Sequence, residues 1–404
     1  MLHNKNLLVV NTGIRSKLPL FQNLRNLGLK VICLNHEVNW AASYVSEWII
    51  ADPSSIDSLS AIDEYLESHP NQDIDGALTF DDRSVLLTAA ITEKLGLKGI
   101  PLQIAKWVKN KLAFRQFSEK NAIPTPRFSL LETEPVFEKS KLRYPLVVKP
   151  DIGVGSAFVK KVVTPAELKE TIDTFKVAHS TPKMTLYVEE FIKGQEVDID
   201  VLIQNGEIKF MAISDNFPST GDYFVERGGQ IPSRLPSEHQ EALCQMVHHS
   251  LNQIGIMDGC LHYEAISSDE GSFPVEINLR LGGAEISAFQ QVVWGRNMVE
   301  DAVRIALGLP IKTSDRNDKP KKVAMSTNFV PTHSGTISQI HRDSKLPTRT
   351  YFEELELHYE VGDEVGVPPD CFKNLGWLVA SGETYEEAER HLRSLEQLVK
   401  IEIS

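Results

Sequence analysis

Cysteine is scarce: four residues in 404, at Cys33, Cys244, Cys260 and Cys371, with no CxxC pair among them. That spacing excludes a disulfide scaffold and a cysteine-built zinc site, and it favours a reducing compartment. Long apolar runs are missing as well. The opening MLHNKNLLVVNTG holds only the short run LLVV, too little for a secretory signal or a bilayer span. Positive charge does not dominate either: 42 Lys and Arg stand against 55 Asp and Glu, a formal net charge of -13. Such a balance argues against nucleic-acid or anionic-membrane partners, while leaving room for a polyanion gripped by a few lysines and a metal. Two familiar glycine fingerprints are absent. The turn NTGIRSK after the first strand lacks GxGxxG, and the later turn around Gly153 and Gly155 lacks the GxxxxGK[ST] spacing of a P-loop. A cytoplasmic protein with no nucleic-acid or membrane partner is the expectation, with a homodimer left open.

The length is too great for one compact unit, so two or three domains are expected. LLVV (7–10), VICL (31–34) and GALTF (76–80) alternate with helical periodicity, the pattern of a parallel α/β sheet over residues 1–105. KWVKNKLAFRQFSEKN reads as a single helix ending near Asn121, and IPTP then carries the chain into a second unit, 106–310. There TPAELKE has the Thr–Pro–Glu order of a capped helix start, and Asn205-Gly206 splits a long β-run into a hairpin. GCLHYEAISS and SFPVEINLR are two further strands joined by a polar turn. Beyond the lysine-rich KTSDRNDKPKK, residues 311–404 form a small strand-rich tail. The fold class expected is therefore mixed α/β and α+β.

Chemistry-bearing residues fall at intervals along this frame. Lys149 ends the apolar strand YPLVV, where an ammonium can meet an anion without desolvating its whole stem. Gly153, Gly155 and Ser156 follow in a turn whose N–H groups can close over phosphate oxygens, although a plain hairpin would be built the same way. Lys111 is the second cation. In YVEEFIKGQE, the backbone near Phe191 and Ile192 can offer hydrogen bonds to an adenine edge, and Glu196 can accept from ribose hydroxyls; a solvated edge strand is the alternative. Strand alternation puts His262 and Glu264 on one face, and Glu276, Asn278 and Arg280 on one face of the next strand. Two carboxylates and an amide suit hard Mg2+, with Mn2+ as an alternative ion, and suit zinc poorly. Arg280 offers a planar fork for a carboxylate or phosphoryl group, or else pairs with Glu276. Gly282 and Gly283 allow close backbone approach. Asp81 and Asp82 either face a substrate amine or cap a helix. In FPSTGDYFVERGGQIPS, Glu226 can position an ammonium, Arg227 a carboxylate, and Gly228-Gly229 a tight approach or a turn.

Taken in order, NK (110–111), VVKP (147–150), the glycine turn, VEEFIKGQE (188–196), HYE (262–264) and EINLRLGG (276–283) resemble the ATP-grasp superfamily. The closer likeness is to its carboxylate–amine ligases, the branch of bacterial L-amino-acid ligases and carnosine-synthase-like enzymes. That resemblance implies an N-terminal parallel-sheet domain, a mobile lid at about 125–190, and a C-terminal catalytic domain. It implies ATP held by Lys111, Lys149 and the turn of Gly153, Gly155 and Ser156. Glu189, Glu190, Phe191 and Ile192 would lie around adenine, and Glu196 on ribose. Glu264, Glu276 and Asn278 would bind magnesium. Arg280, Lys149 and His262 would carry catalysis, with His262 the candidate base. Glu226, Arg227, Gly228, Gly229, Arg280, Gly282 and Gly283 would meet small carboxylate and amine substrates. Leu279 departs from the family's usual proline, and His262 from the arginine of D-alanine-type ligases. Transfer to another small nucleophile, nucleotide binding without turnover, and an oligomer surface built from the polar strands are the competing readings.

Overall fold

The structure is a computed structural model; it describes residues 2–131, 141–153, 155–178, 185–219, 221–283, 285–314 and 319–404. Its first layer is a four-stranded parallel sheet of Asn6–Val10, Lys30–Asn35, Glu47–Ile50 and Gly76–Leu78, with Asn6–Val10 between Lys30–Asn35 and Gly76–Leu78. Leu7 to Val10 and Val31 to Leu34 are almost wholly buried. Helices cover both faces, which is why these strands read as unbroken apolar runs rather than alternating ones.

The expected single helix across 106–121 is two helices, Leu102–Val108 and Lys111–Lys120. Asn110 leaves helical geometry (φ -90°, ψ 106°), and its side chain accepts from the Ala113 N–H. An asparagine cap inside an otherwise helical pattern wins here because it frees the next amide for a tertiary bond. Lys111 N–H donates to the Asp151 carbonyl at 2.7 Å, so the break pins Lys111 against the end of the Leu146–Pro150 strand.

A second four-stranded sheet, in the order Phe128–Leu130, Leu186–Glu190, Leu146–Pro150 and Lys160–Val162, has its own apolar core of Leu146, Val148, Val162, Leu168, Phe175, Leu186 and Val188. The Pro165–Ala178 helix packs on it, started by Thr164 accepting from the Glu167 N–H while Glu167 accepts from the Val163 N–H. Residues 132–140 and 179–184 of the expected lid lie outside the described residues.

The largest sheet has eight strands, running from Gly271–Asn278 through Gly259–Ser268, Gln195–Gln204, Glu207–Asn216, Gly229–Ile231, Val323–Asn328 and Gly376–Gly382 to Phe352–Leu357. The hairpin at Asn205-Gly206 has positive φ at both residues (55° and 78°), the primed turn that suits twisted strands. Three strands from beyond residue 310 complete this sheet, while Gly335–Arg342, Glu364–Val365 and Val399–Ile403 form a three-stranded sheet of their own. The strand expected over SFPVEINLR stops at Asn278, which leaves Arg280 beyond its end, free of the alternation that sets Glu276 and Asn278.

Candidate active site

One cleft is lined by the glycine turn, the 189–192 segment, the 226–229 loop and the paired strands Gly259–Ser268 and Gly271–Asn278. The register between those two strands sets His262 opposite Asn278 and Glu264 opposite Glu276. Asn278 Nδ2 donates to Glu264 Oε1 at 2.9 Å and to Glu276 Oε1 at 3.1 Å, drawing both carboxylates to one point. Directly opposed acids on neighbouring strands repel. Burial and then the Glu276 charge raise Glu264 well above the usual carboxylate range. Glu276 is held low in spite of burial, because Lys111 forms an ion pair with it.

These residues fit a hard divalent cation. Lys111 offsets one charge of the buried pair, Glu264 has no ion pair among the described residues, and turning the Asn278 amide would add a third oxygen. Among the described residues no three His, Cys, Asp or Glu side chains form a metal centre by themselves, so an ion here needs further oxygens from a bound phosphate.

Lys149 is 3% exposed and forms an ion pair with Glu189. Arg115, buried to 1%, holds the same carboxylate through Nε at 2.8 Å and Nη2 at 3.3 Å, and donates also to the Val275 carbonyl at 3.1 Å. Burial opposes the Glu189 charge, but Arg115 and Lys149 keep its carboxyl at about 2. Glu189, expected beside adenine, therefore commits its side chain to aiming Lys149. Glu190 commits its carboxylate to Arg127 and to the Arg143 N–H (2.7 Å), since strand alternation turns it to the other face of the sheet. Phe191 N–H donates to the Pro145 carbonyl at 3.0 Å, and both Phe191 and Ile192 line the cleft. In the glycine turn, Lys111 Nζ donates to the Gly153 carbonyl at 3.1 Å, and Gly155 and Ser156 both adopt positive φ (59° and 53°). Glu196 is pushed up to about 7 by burial, then by Asp198 and Glu226.

His262, the candidate base, is set between two acids. Its Nδ1 lies 3.1 Å from Asp200 and its Nε2 3.7 Å from Asp198. Burial opposes a charge there, but Asp198 and the hydrogen bond to Asp200 raise the imidazole to about 10. A protonated imidazole accepts no proton, so these two acids disfavour the base role expected of His262. Gln290 braces the other Asp200 oxygen at 2.7 Å. Gly282 lies against this ring: a side chain there would meet His262 Nδ1 at 2.9 Å and Ile286 at 2.6 Å.

Arg280 pairs with Asp82, not with Glu276: its Nε donates to Asp82 Oδ2 at 2.8 Å, and Lys109 Nζ stands 3.5 Å from the other oxygen. Burial opposes ionisation of Asp82, yet Arg280 and then Lys109 hold it at about 2. Of the two acids left open by the sequence, Asp82 faces the cleft, while Asp81 caps the Asp82–Ser84 turn and is gripped by Arg83. The Gly228 conformation (φ 99°) and its packing, with a built Cβ only 2.4 Å from the Ser326 carbonyl, account for that glycine structurally; Gly229 likewise presses on the Asp215 carbonyl. Glu226 and Arg227 line the cleft.

The sequence reading missed Arg115, Lys17 and Glu285. Arg115 follows Lys111 by one helical turn on the same face, a signal that was present. Lys17 comes from the first domain, its Nζ 4.0 Å from where a Gly283 side chain would begin, and burial followed by Arg280 pushes it down to about 8. Nothing local marks Glu285, which is buried to 6% and lines the cleft.

Two family models match the chain: an ATP-grasp domain over residues 142–288 and an L-amino acid ligase C-terminal domain 2 over residues 328–404. Carnosine synthase 1 of Gallus gallus is 25% identical over 334 residues, which cover 77% of this chain but 36% of the relative, so the chain spans well under half of that protein. The L-arginine-specific L-amino acid ligase of Bacillus subtilis is 23% identical, covering 80% of this chain and 79% of the relative. Among solved structures, an L-amino acid ligase from Bacillus licheniformis superposes with a TM-score of 0.85 at 24% identity, covering 100% of this chain and 99% of the other.

Proposed function

Since the chain is an ATP-grasp protein that ends in an L-amino acid ligase C-terminal domain, we propose that it is an ATP-dependent carboxylate–amine ligase. It joins small amino-acid-like substrates through an acyl phosphate and releases ADP and phosphate. One observation carries this reading: Lys111, Lys149, Arg280 and the Glu264–Glu276–Asn278 cluster converge on a single cleft. That arrangement suits two negatively charged reactants, a phosphate chain and a carboxylate, which repel unless cations hold them together.

Lys149, aimed by Glu189 and Arg115, and Lys111, beside the Gly153 carbonyl, hold the phosphates. The positive-φ turn through Gly155 and Ser156 covers them. Phe191 and Ile192 flank the base, and Glu196 takes the ribose. Glu264, Glu276 and Asn278 would hold Mg2+, which when bound offsets phosphate charge. The donor carboxylate attacks the γ-phosphorus and ADP leaves. The amine then attacks the acyl carbon, the C–O bond to phosphate breaks, and the amine's extra proton passes to solvent or a neighbouring group. In this reading Arg280 and His262 would offset the charge that builds on the reacting oxygens. No protein nucleophile is needed.

The assay is purified protein with Mg2+, ATP and pairs of amino acids, followed by nucleotide analysis and product mass. ADP should form only when donor and acceptor are both present, together with a product of the condensed mass. AMP and pyrophosphate, or ADP formed equally without either substrate, would contradict the reading.

A further inference from the structure

The glycine turn of the cleft ends on a bulky residue in an unfavourable conformation. Phe158 has φ 61°, in the left-handed region that large side chains rarely enter, and it follows Gly155 and Ser156, which share that sign. Such a conformation persists only where its surroundings hold it. The Phe158 ring packs edge-on against Phe175 of the Pro165–Ala178 helix, with centroids 5.3 Å apart. Phe372 approaches the same ring at 5.7 Å. Phe372 belongs neither to the four-stranded sheet that carries the turn nor to its helix. It lies in the irregular stretch between Glu364–Val365 and Gly376–Gly382, inside the region matched by the L-amino acid ligase C-terminal domain 2.

Phe372 also meets a third segment. Tyr223 stands edge-on to it at 5.7 Å, within the range that aromatic pairs favour. Tyr223 sits in the loop that the Phe217 N–H closes by donating to the Gly228 carbonyl at 2.9 Å. That loop is tied to the sheet of the glycine turn. Lys160 and Tyr223 pair as an antiparallel bridge, and the Lys161 N–H donates to the Asp222 carbonyl at 2.8 Å. The Lys160 ammonium lies 5.5 Å from the centre of the Tyr223 ring. Among the described residues, none of the rings of Phe158, Tyr223 and Phe372 is in the cleft wall. The wall takes in Ala157 and Val159 on either side of Phe158, and Phe224 beside Tyr223.

Two segments that face the reactants therefore share one brace. In the ligase reading the turn of Gly155 and Ser156 covers the phosphates, and the 217–228 loop carries Glu226 and Arg227. If either segment swings away, water reaches the acyl phosphate. The water oxygen then attacks the acyl carbon, the C–O bond to phosphate breaks and a proton goes to solvent, so the free carboxylate returns and ATP has been used without an amide. We propose that Phe372 is a positioning residue that acts through Phe158 and Tyr223. It holds the turn and the loop together over the cleft, so that the amine rather than water meets the intermediate. The inference rests on the ligase reading above and gives the C-terminal region a part in coupling ATP use to amide formation.

The test measures ADP and condensed product in the same reaction, with and without the amine acceptor. Wild-type protein should form about one ADP per amide and little ADP from the donor alone. Phe372→Ala should lower amide formation about tenfold while ADP release from the donor alone rises at least about threefold, so that ADP per amide climbs to about five or more. Tyr223→Ala, on the other side of the brace, should uncouple in the same way, and Phe372→Tyr should restore the wild-type ratio. Phe372→Leu keeps apolar bulk; it should uncouple to a smaller extent, and it provides the comparison if Phe372→Ala does not fold. ADP and amide falling together in Phe372→Ala, with their ratio unchanged, would reduce the rings to packing and overturn the brace alone, as would a variant that matches wild type in both. No ADP from wild-type protein with any pair would overturn the ligase reading beneath it.

Discussion

Glu276→Gln should lower ADP release by about 100- to 1000-fold, the loss typical when one preorganised electrostatic group is removed from an active site. Two features place Glu276 at that level. It sits directly opposite Glu264 in the strand register, and it is the acid that Lys111 neutralises. Glutamine keeps the shape and can still bond to Asn278, so the fold should tolerate it. The charge that attracts a divalent cation falls by one, and Lys111 loses its partner. The Mg2+ concentration for half-maximal rate should rise accordingly. Steady-state ADP release across a Mg2+ titration measures both effects, and a variant within threefold of wild type at every Mg2+ concentration would remove Glu276 from the metal site.

The second large effect is expected at Lys149. Lys149→Ala removes a buried cation whose partner, Glu189, is buried as well. Breaking a buried pair from one side costs about 3–5 kcal/mol when the remaining charge has no other partner. Here Arg115 still grips Glu189, so the stability loss should fall below that range. Catalysis has no such reserve, because Arg115 is fixed by its Nε and Nη2 bonds to Glu189 and Val275 and has no mobile ammonium to offer in place of Lys149. ADP release should fall at least 100-fold, with a weaker ATP affinity and only a modest drop in thermal midpoint. Arg115→Met separates the roles. It should destabilise the protein more than Lys149→Ala, since it removes two hydrogen bonds from the buried Glu189 carboxylate rather than one contact, yet it should spare more activity. Calorimetry beside nucleotide-binding titration reads out both, and the reverse ranking would mean that Lys149 serves the fold rather than the phosphates.

Where the sequence was legible, the cause was local. The buried parallel strands carry unbroken apolar runs, and Asn205-Gly206 carries its turn geometry in its residue types. The Glu264–Glu276–Asn278 cluster follows from period-two alternation on two strands joined by a short turn, so antiparallel pairing brings them together almost by necessity. Where legibility failed, the partner lay far along the chain. Asp82 and Arg280 are separated by 198 residues, and no periodicity near either one announces the pair. His262 reads as a base until Asp198 and Asp200 are seen on the neighbouring strand, where they favour its protonated form. The helix break at Asn110 was written in an ordinary capping residue, but tertiary contact with Asp151 was needed to make the cap outweigh helix continuation. Glu285 owes its place to Ser326, from a strand whose membership in the central sheet depends on long-range pairing.

The central claim is that a carboxylate is phosphorylated before an amine displaces the phosphate. The direct measurement uses a donor whose carboxylate carries oxygen-18 and follows the label in the inorganic phosphate released. Attack of the carboxylate on the γ-phosphorus followed by cleavage of the acyl C–O bond predicts one labelled oxygen in each phosphate for every amide formed. Phosphate that emerges unlabelled while the condensed product accumulates would contradict the account.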